Sequence, residues 1–192
     1  MKRNLLLSTI FIALISGCGG GDNRSPDRDR DNTIQNNSIR NSQSYNLWEY
    51  FTPNRSKTNS YKLYENNSVS SYKTSYNVSN NKVIEVDDYA PNEKTIYEKR
   101  DNYIEVKFQK DGKPNGIYKL KLYANIGDSV TVLDSTCKLT KHYDNFTIKD
   151  QAFNDVIEIR CGNKPGYYQK GVGEIAQDIK TNNQKVTRVL SN

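Results

Sequence analysis

The chain has 192 residues, with 28 lysines and arginines against 22 aspartates and glutamates, for a net charge of +6. The two signs interleave along most segments, which argues against the clustered basic footprint of a nucleic-acid binder. One histidine, three cysteines and no Cys-x-x-Cys argue against a metal centre.

Lys2 and Arg3 form a basic head, and residues 5–15 (LLLSTIFIALI) form an apolar run followed by Ser16 and Gly17. That architecture reads as a bacterial export signal, residues 1–17. It is too short for a membrane span of about 17–25 apolar residues, and polar chain resumes at Gly19. Residues 14–18 read LISGC.

Ile15, Ser16, Gly17 and Cys18 resemble the lipobox of bacterial lipoproteins. The resemblance implies cleavage between Gly17 and Cys18, a diacylglycerol on the Cys18 thiol and an acyl chain, such as palmitate, on the new amino group. Each buried methylene contributes about 0.8 kcal/mol, so two or more chains make a stable anchor. The alternative is an ordinary signal peptide whose Cys18 stays a free thiol. In such lipoproteins an aspartate directly after the cysteine retains the protein in the inner membrane. Gly19 stands there instead, which implies the outer membrane, with the domain in the periplasm or exposed at the cell surface.

Residues 18–45 are expected to be the lipidated cysteine and a flexible tether. Within 19–44 only Ile34 and Ile39 are apolar, too little for a core. Fully extended, that stretch would reach about 90 Å. Asp27, Asp29 and Asp31 imitate the opening of a calcium loop, but Asn32 holds its glycine position and Ser38 its glutamate position, which argues against calcium.

Residues 46–192 are expected to form one β-rich domain, within the size of a single core. A short helix is possible at 47–51. Runs with a period of two predict strands near 60–65, 69–78, 82–89, 94–100, 103–110, 116–123, 129–133, 136–143, 155–161, 167–170 and 184–190. Ile104, Val106 and Phe108 share one face, as do Tyr118, Leu120 and Leu122. Hairpin turns are expected at Asn66-Asn67, Asn80-Asn81, Asp101-Asn102, Asp111-Gly112, Asn115-Gly116 and Gly127-Asp128, where the residues tolerate positive backbone angles. Residues 144–154 read as a connection. Residues 172–180 could make a turn or two of helix, with Ile175 and Ile179 one turn apart. The fold class is therefore mainly β: an antiparallel, curved or half-barrel sheet of about ten strands with little helix.

With Cys18 lipidated, Cys137 and Cys161 remain, in phase with Leu139 and with Ile157 and Ile159. They are either a disulfide or two reduced core thiols, and an oxidising compartment favours the bridge. Bridging closes a 25-residue loop, worth about 3.5 kcal/mol in the chain-entropy model. His142 falls on the opposite face from Cys137 in a regular strand.

Catalytic signatures are weak. Gly171, Val172, Gly173 and Ala176 spell G-x-G-x-x-A, but no acidic residue follows at the distance a dinucleotide site needs; a turn explains the glycines. Ser-x-x-Lys occurs at Ser70/Lys73, Ser79/Lys82 and Ser135/Lys138 without its companion motifs. His142 with Asp144 has no nucleophile in view. Asp87 and Asp88 are adjacent strand residues that point to opposite faces, so they end a strand and form no carboxylate dyad. The fourteen tyrosines suit either a groove for an amphiphile, glycan or peptide or the half-exposed face of an open sheet.

The run YYQKGVGEI, residues 167–175, following DVIEIRC, is similar to the ending of a group of uncharacterised bacterial secreted and lipoprotein domains. Those are distantly like the carriers that ferry lipoproteins across the periplasm, so the resemblance implies a curved antiparallel sheet and assigns no catalytic residue. The expected protein is a membrane-anchored envelope lipoprotein with a non-catalytic binding or structural role. Its expected partners are the membrane and a hydrophobic ligand or envelope protein, with no cofactor and no nucleic acid. The alternatives are a lipid or lipoprotein carrier and, last, an envelope enzyme.

Overall fold

Side chains that alternate between two faces make this fold, because each strand buries one face and offers the other to water. The computed structural model describes residues 43–65, 68–133, 135–181 and 184–191. Gly17, Cys18, most of the tether and the turn at Asn66-Asn67 lie outside the described residues.

The described chain opens with β1 (Tyr45–Asn46) and α1 (Leu47–Phe51). Then come β2 (Lys57–Glu65), β3 (Ser68–Ser79), β4 (Lys82–Asp87), β5 (Glu93–Lys99), β6 (Tyr103–Lys110) and β7 (Lys113–Lys121). β8 (Tyr123–Ala124), β9 (Ser129–Val132), β10 (Ser135–Ile148) and β11 (Gln151–Cys161) follow. β12 (Lys164–Gln169), β13 (Gly173–Thr181) and β14 (Gln184–Ser191) close the series.

Twelve strands form one antiparallel sheet in the order β7-β6-β5-β4-β3-β2-β14-β13-β12-β11-β10-β9. Every neighbour is a hairpin partner except β2 and β14, which join the two ends of the chain through pairs such as Tyr61 with Leu190. The edge strands β7 and β9 approach each other, so the sheet is nearly closed into a barrel. The mainly β, antiparallel, curved expectation is thus met, with twelve strands in the sheet. β1 pairs separately with β8.

The expected turn at Asp111-Gly112 joins β6 to β7, both residues having positive φ (52° and 74°). The helix at 47–51 is present as α1. Asn46 caps it, its Oδ1 accepting from the Trp48 N–H at 3.2 Å while its Nδ2 donates to Glu49 at 3.1 Å.

Several expectations are corrected. Residues 172–180 are not helical: β13 is hydrogen-bonded on both sides, to β12 and β14, and two full ladders outweigh a helix too short to be stable in isolation. Residues 144–154 are not a connection but the far half of the β10–β11 hairpin, which turns at Lys149 and Asp150 (φ 48° and 63°) without a glycine or asparagine to mark it. Asn115-Gly116 lies inside β7, the ladder absorbing it by a register shift opposite Phe108 and Gln109. The fold also takes in Tyr45, which is buried in β1.

Two buried clusters hold the barrel together. One joins Ile104, Val106, Leu120, Leu139, Ile157 and Ile159 to Leu47, Tyr50 and Phe51, so α1 plugs that side of the interior. The other gathers Tyr143, Phe146, Phe153, Val156, Tyr167 and Ile175. There Phe146 packs 4.5 Å from Tyr167 and Lys149 Nζ sits 5.5 Å from the Tyr64 ring centre, so the far half of the β10–β11 hairpin folds back over the sheet as far as β2. Burying the hairpin's Tyr143, Phe146, Phe153 and Val156 against Tyr167 and Ile175, at about 1.5–3 kcal/mol each, is what holds that hairpin down. The outer wall of β4–β6 carries a charged row in which Glu98 pairs with Lys82, Arg100 and Lys107.

A polar and aromatic lumen

The inward phase of β2 to β7 and β14 carries an unusual set of residues. Val83 and Glu85 share a phase in β4, Thr95 and Tyr97 in β5, and Arg188 lies between Val186 and Leu190 in β14. Glu85, Thr95, Tyr97 and Arg188, with Phe51 of α1, Tyr168 of β12 and Glu174 and Gln177 of β13, line a cavity of about 100 Å³ inside the barrel, which reaches Val132 and Leu133 at the end of the edge strand β9. Seven of its lining side chains are aromatic. Phe51 stacks on Tyr168 at 4.4 Å and closes it beneath α1.

Arg188 organises one wall. Its guanidinium pairs with Glu174, donates to the Tyr72 hydroxyl at 2.9 Å and to Gln177 at 3.5 Å, and stands 5.5 Å from the Tyr61 ring centre. Desolvation works against its charge, but Glu174 together with the Tyr72 and Tyr61 hydroxyls outweighs it and holds the guanidinium well above its ordinary value. The Arg188 Nε is buried without a hydrogen-bond partner among the described residues. Tyr61 donates to the Glu174 carbonyl at 2.8 Å and shares a 3.3 Å contact with the Tyr76 hydroxyl, and burial pushes its own hydroxyl up to about 12.

Glu85 sits opposite. Tyr97 donates to its Oε2 at 2.9 Å. Burial, reinforced by Asp87, pushes the Glu85 carboxyl up to about 7. Among the described residues no lysine, arginine or histidine forms an ion pair with it. Asp87 accepts from Thr74 at 2.5 Å, whereas Asp88 is exposed. The two aspartates therefore end β4 as expected.

The motif residues lie elsewhere. Cys137 and Cys161 form a disulfide between β10 and β11. Gly171 (φ 72°) makes the β12–β13 turn, where its N–H donates to the Glu49 carbonyl at 2.6 Å and a side chain would press on Asn54.

His142 is a correction: it is buried, on the same side as Leu139 and Cys137. A bulge at Thr140 shifts the phase by one residue, setting Leu139 against Ile159 and His142 against Ile157. His142 Nε2 lies 2.9 Å from Asp155, the ring stacks on Tyr45, and Asp144 is 3.9 Å from Nδ1. Thr140 itself donates to Glu158 at 2.7 Å.

A wider depression of about 600 Å³ beside Asn80, Asn81, Lys82, Lys99 and Arg100 opens to solvent, and two of its charges are already paired with Glu98. The described residues contain no cluster of three or more potential metal ligands.

Glu85 and Arg188 are absent from the sequence-derived candidates, although Glu85 is a charge in phase with Val83, and Arg188 one in phase with Val186 and Leu190. That was the available signal, because a charged residue on a buried phase is either paired or functional.

The fold and its interior define a class: an antiparallel, nearly closed β-barrel with a small polar and aromatic lumen. The chain matches no protein-family model, no curated protein and no solved structure.

Proposed function

We propose that this protein is a bacterial envelope lipoprotein, anchored to the outer membrane through acyl chains on Cys18, whose barrel domain binds without catalysis on the periplasmic side. The anchor rests on LISGC and the export signal before it. The binding role rests on one observation: inward-facing Glu85, Tyr97, Phe108 and Tyr118 are only partly buried and share a lumen. A domain that served only as a spacer would gain more from a dry core.

The lipid-carrier reading draws on the barrel form. It is less well supported, because about 100 Å³ is well below the roughly 300–1,000 Å³ of clefts that take drug-sized ligands. An acyl chain would need the β7–β9 edges to part.

The test is expression of the full chain in a bacterial host. The mature protein should fractionate with the outer membrane, lack residues 1–17 and carry acyl mass on Cys18. A Cys18→Ala protein that stays membrane-bound would refute the anchor. Hydrolase or transferase turnover that disappears on changing His142 or Glu85 would refute the non-catalytic role.

A further inference from the structure

The lumen's charges do not balance. Arg188 pairs with Glu174 and draws on the Glu85 carboxyl only from across the lumen, which leaves Glu85, among the described residues, as the lining carboxylate without an ion-pair partner. Its hydrogen-bond partner is the Tyr97 hydroxyl, a neutral donor. A carboxylate in so enclosed and aromatic a place either takes up a proton or meets a cation from outside. Around it stand Tyr76, Tyr97, Phe108, Tyr118 and Tyr168. Aromatic rings attract cations through their quadrupoles, an effect that strengthens once the cation is desolvated. The same lumen already uses it, since the Arg188 guanidinium stands over Tyr61.

An anion is a poorer fit. It would have to displace Glu174 from Arg188 and would lie beside Glu85. The volume limits the guest to a few carbons.

We propose that the lumen is a binding site for a small organic ammonium ion, its charge met by the Glu85 carboxylate and its carbon body by the surrounding aromatic side chains. The inference rests on the binding role proposed above and names the ligand class for it.

Occupancy should depend on pH through Glu85. The groups facing it are Asp87 on its own strand, Tyr89 just beyond that strand, Tyr97 on β5, Tyr76 on β3, Tyr118 on β7, Tyr168 on β12, and Arg188 and Glu174 across the lumen. The tyrosines are all pushed up by burial and stay protonated through the neutral range, and Arg188 stays charged.

Three probes with one tert-butyl body and different heads separate the possibilities: tert-butylammonium, tert-butanol and pivalate. Each is titrated by calorimetry into the full-length mature protein in detergent. The expected result is saturable binding of tert-butylammonium at pH 8, at least tenfold tighter than either of the others. That affinity should fall at least tenfold at pH 5.5, at least tenfold in Glu85→Gln, and severalfold in Tyr118→Leu. Melting curves establish that both variants fold. Should Glu85→Gln not fold, side-chain carbon NMR of the wild type serves instead, because bound ammonium must lower the Glu85 titration midpoint. Equal or tighter binding of tert-butanol or pivalate would overturn the ammonium assignment while leaving a binding lumen. Unchanged affinity in Glu85→Gln, or an unmoved midpoint, would overturn it too. Silence from all three probes would overturn both the assignment and the lumen as a binding site.

Discussion

Tyr50 and Asp155, 105 residues apart, share a 2.6 Å hydrogen bond from the Tyr50 hydroxyl to Asp155 Oδ1. It ties α1 to the bend of β11, where Asp155 has a φ of 49°. The same oxygen lies 2.9 Å from His142 Nε2. Helix, strand and the shifted phase of β10 therefore meet on one carboxylate.

Tyr50→Phe should lower stability by about 1.5 kcal/mol, the low end for a hydrogen bond to a charged group because Asp155 is partly exposed. Burial pushes Asp155 up, but the bonds from Tyr50 and His142 outweigh it and hold the carboxyl below its ordinary value. A depressed aspartate contributes stability that is present above its unfolded pKa of about 3.9 and is lost as pH falls through the folded value. Urea midpoints at pH 6 and pH 3 should therefore diverge less in Tyr50→Phe than in the wild type.

Glu85 works in the opposite sense. With its carboxyl raised to about 7 and an unfolded value near 4.3, its contribution is fully present below about pH 4 and is lost as pH rises through 7. Glu85→Gln should match the wild type at pH 4 and exceed it at pH 8 by up to about 4 kcal/mol. Equal stability at both pH values would show that the carboxyl is well solvated.

The bridge between Cys137 and Cys161 closes a 25-residue loop, and removing it should cost about 3.5 kcal/mol in the chain-entropy model. Thermal melts of the double alanine variant, or of wild type under reductant, measure this. A melting temperature insensitive to reductant would contradict the bridge.

Glu158 is 1% exposed and accepts from Thr140, Tyr143 and Arg160. Burial pushes it up, but those bonds outweigh it and keep the carboxyl below its ordinary value. Glu158→Ala strands the Tyr143 hydroxyl in the core and should cost about 2–4 kcal/mol. Arg160→Ala should cost less, about 1–2 kcal/mol: its own side chain is 40% exposed, but its loss leaves the buried Glu158 carboxylate with only its Thr140 and Tyr143 donors. Chemical denaturation separates the two.

Much of this was legible locally. Alternation in YIEVKFQ determined which side of β6 is buried, Asp111-Gly112 determined a hairpin, and the phase of Cys137 and Cys161 made their pairing reasonable. Those features depend on residues within a few positions of one another, and a period of two is a local property. The class of fold and the candidate disulfide follow from the sequence by itself.

Tertiary structure alone decided the rest. The β2–β14 pairing that turns a meander into a barrel joins Tyr61 to Leu190, and no local pattern specifies it. The bulge at Thr140 moves His142 from the outer face to the inner one, because one extra residue reverses every later side chain in a strand. The lumen exists because nine strands, α1 and the end of β9 converge around it, placing Glu85 and Arg188 within the same small space. Their charges are visible in the sequence, but convergence in space is what makes them a site.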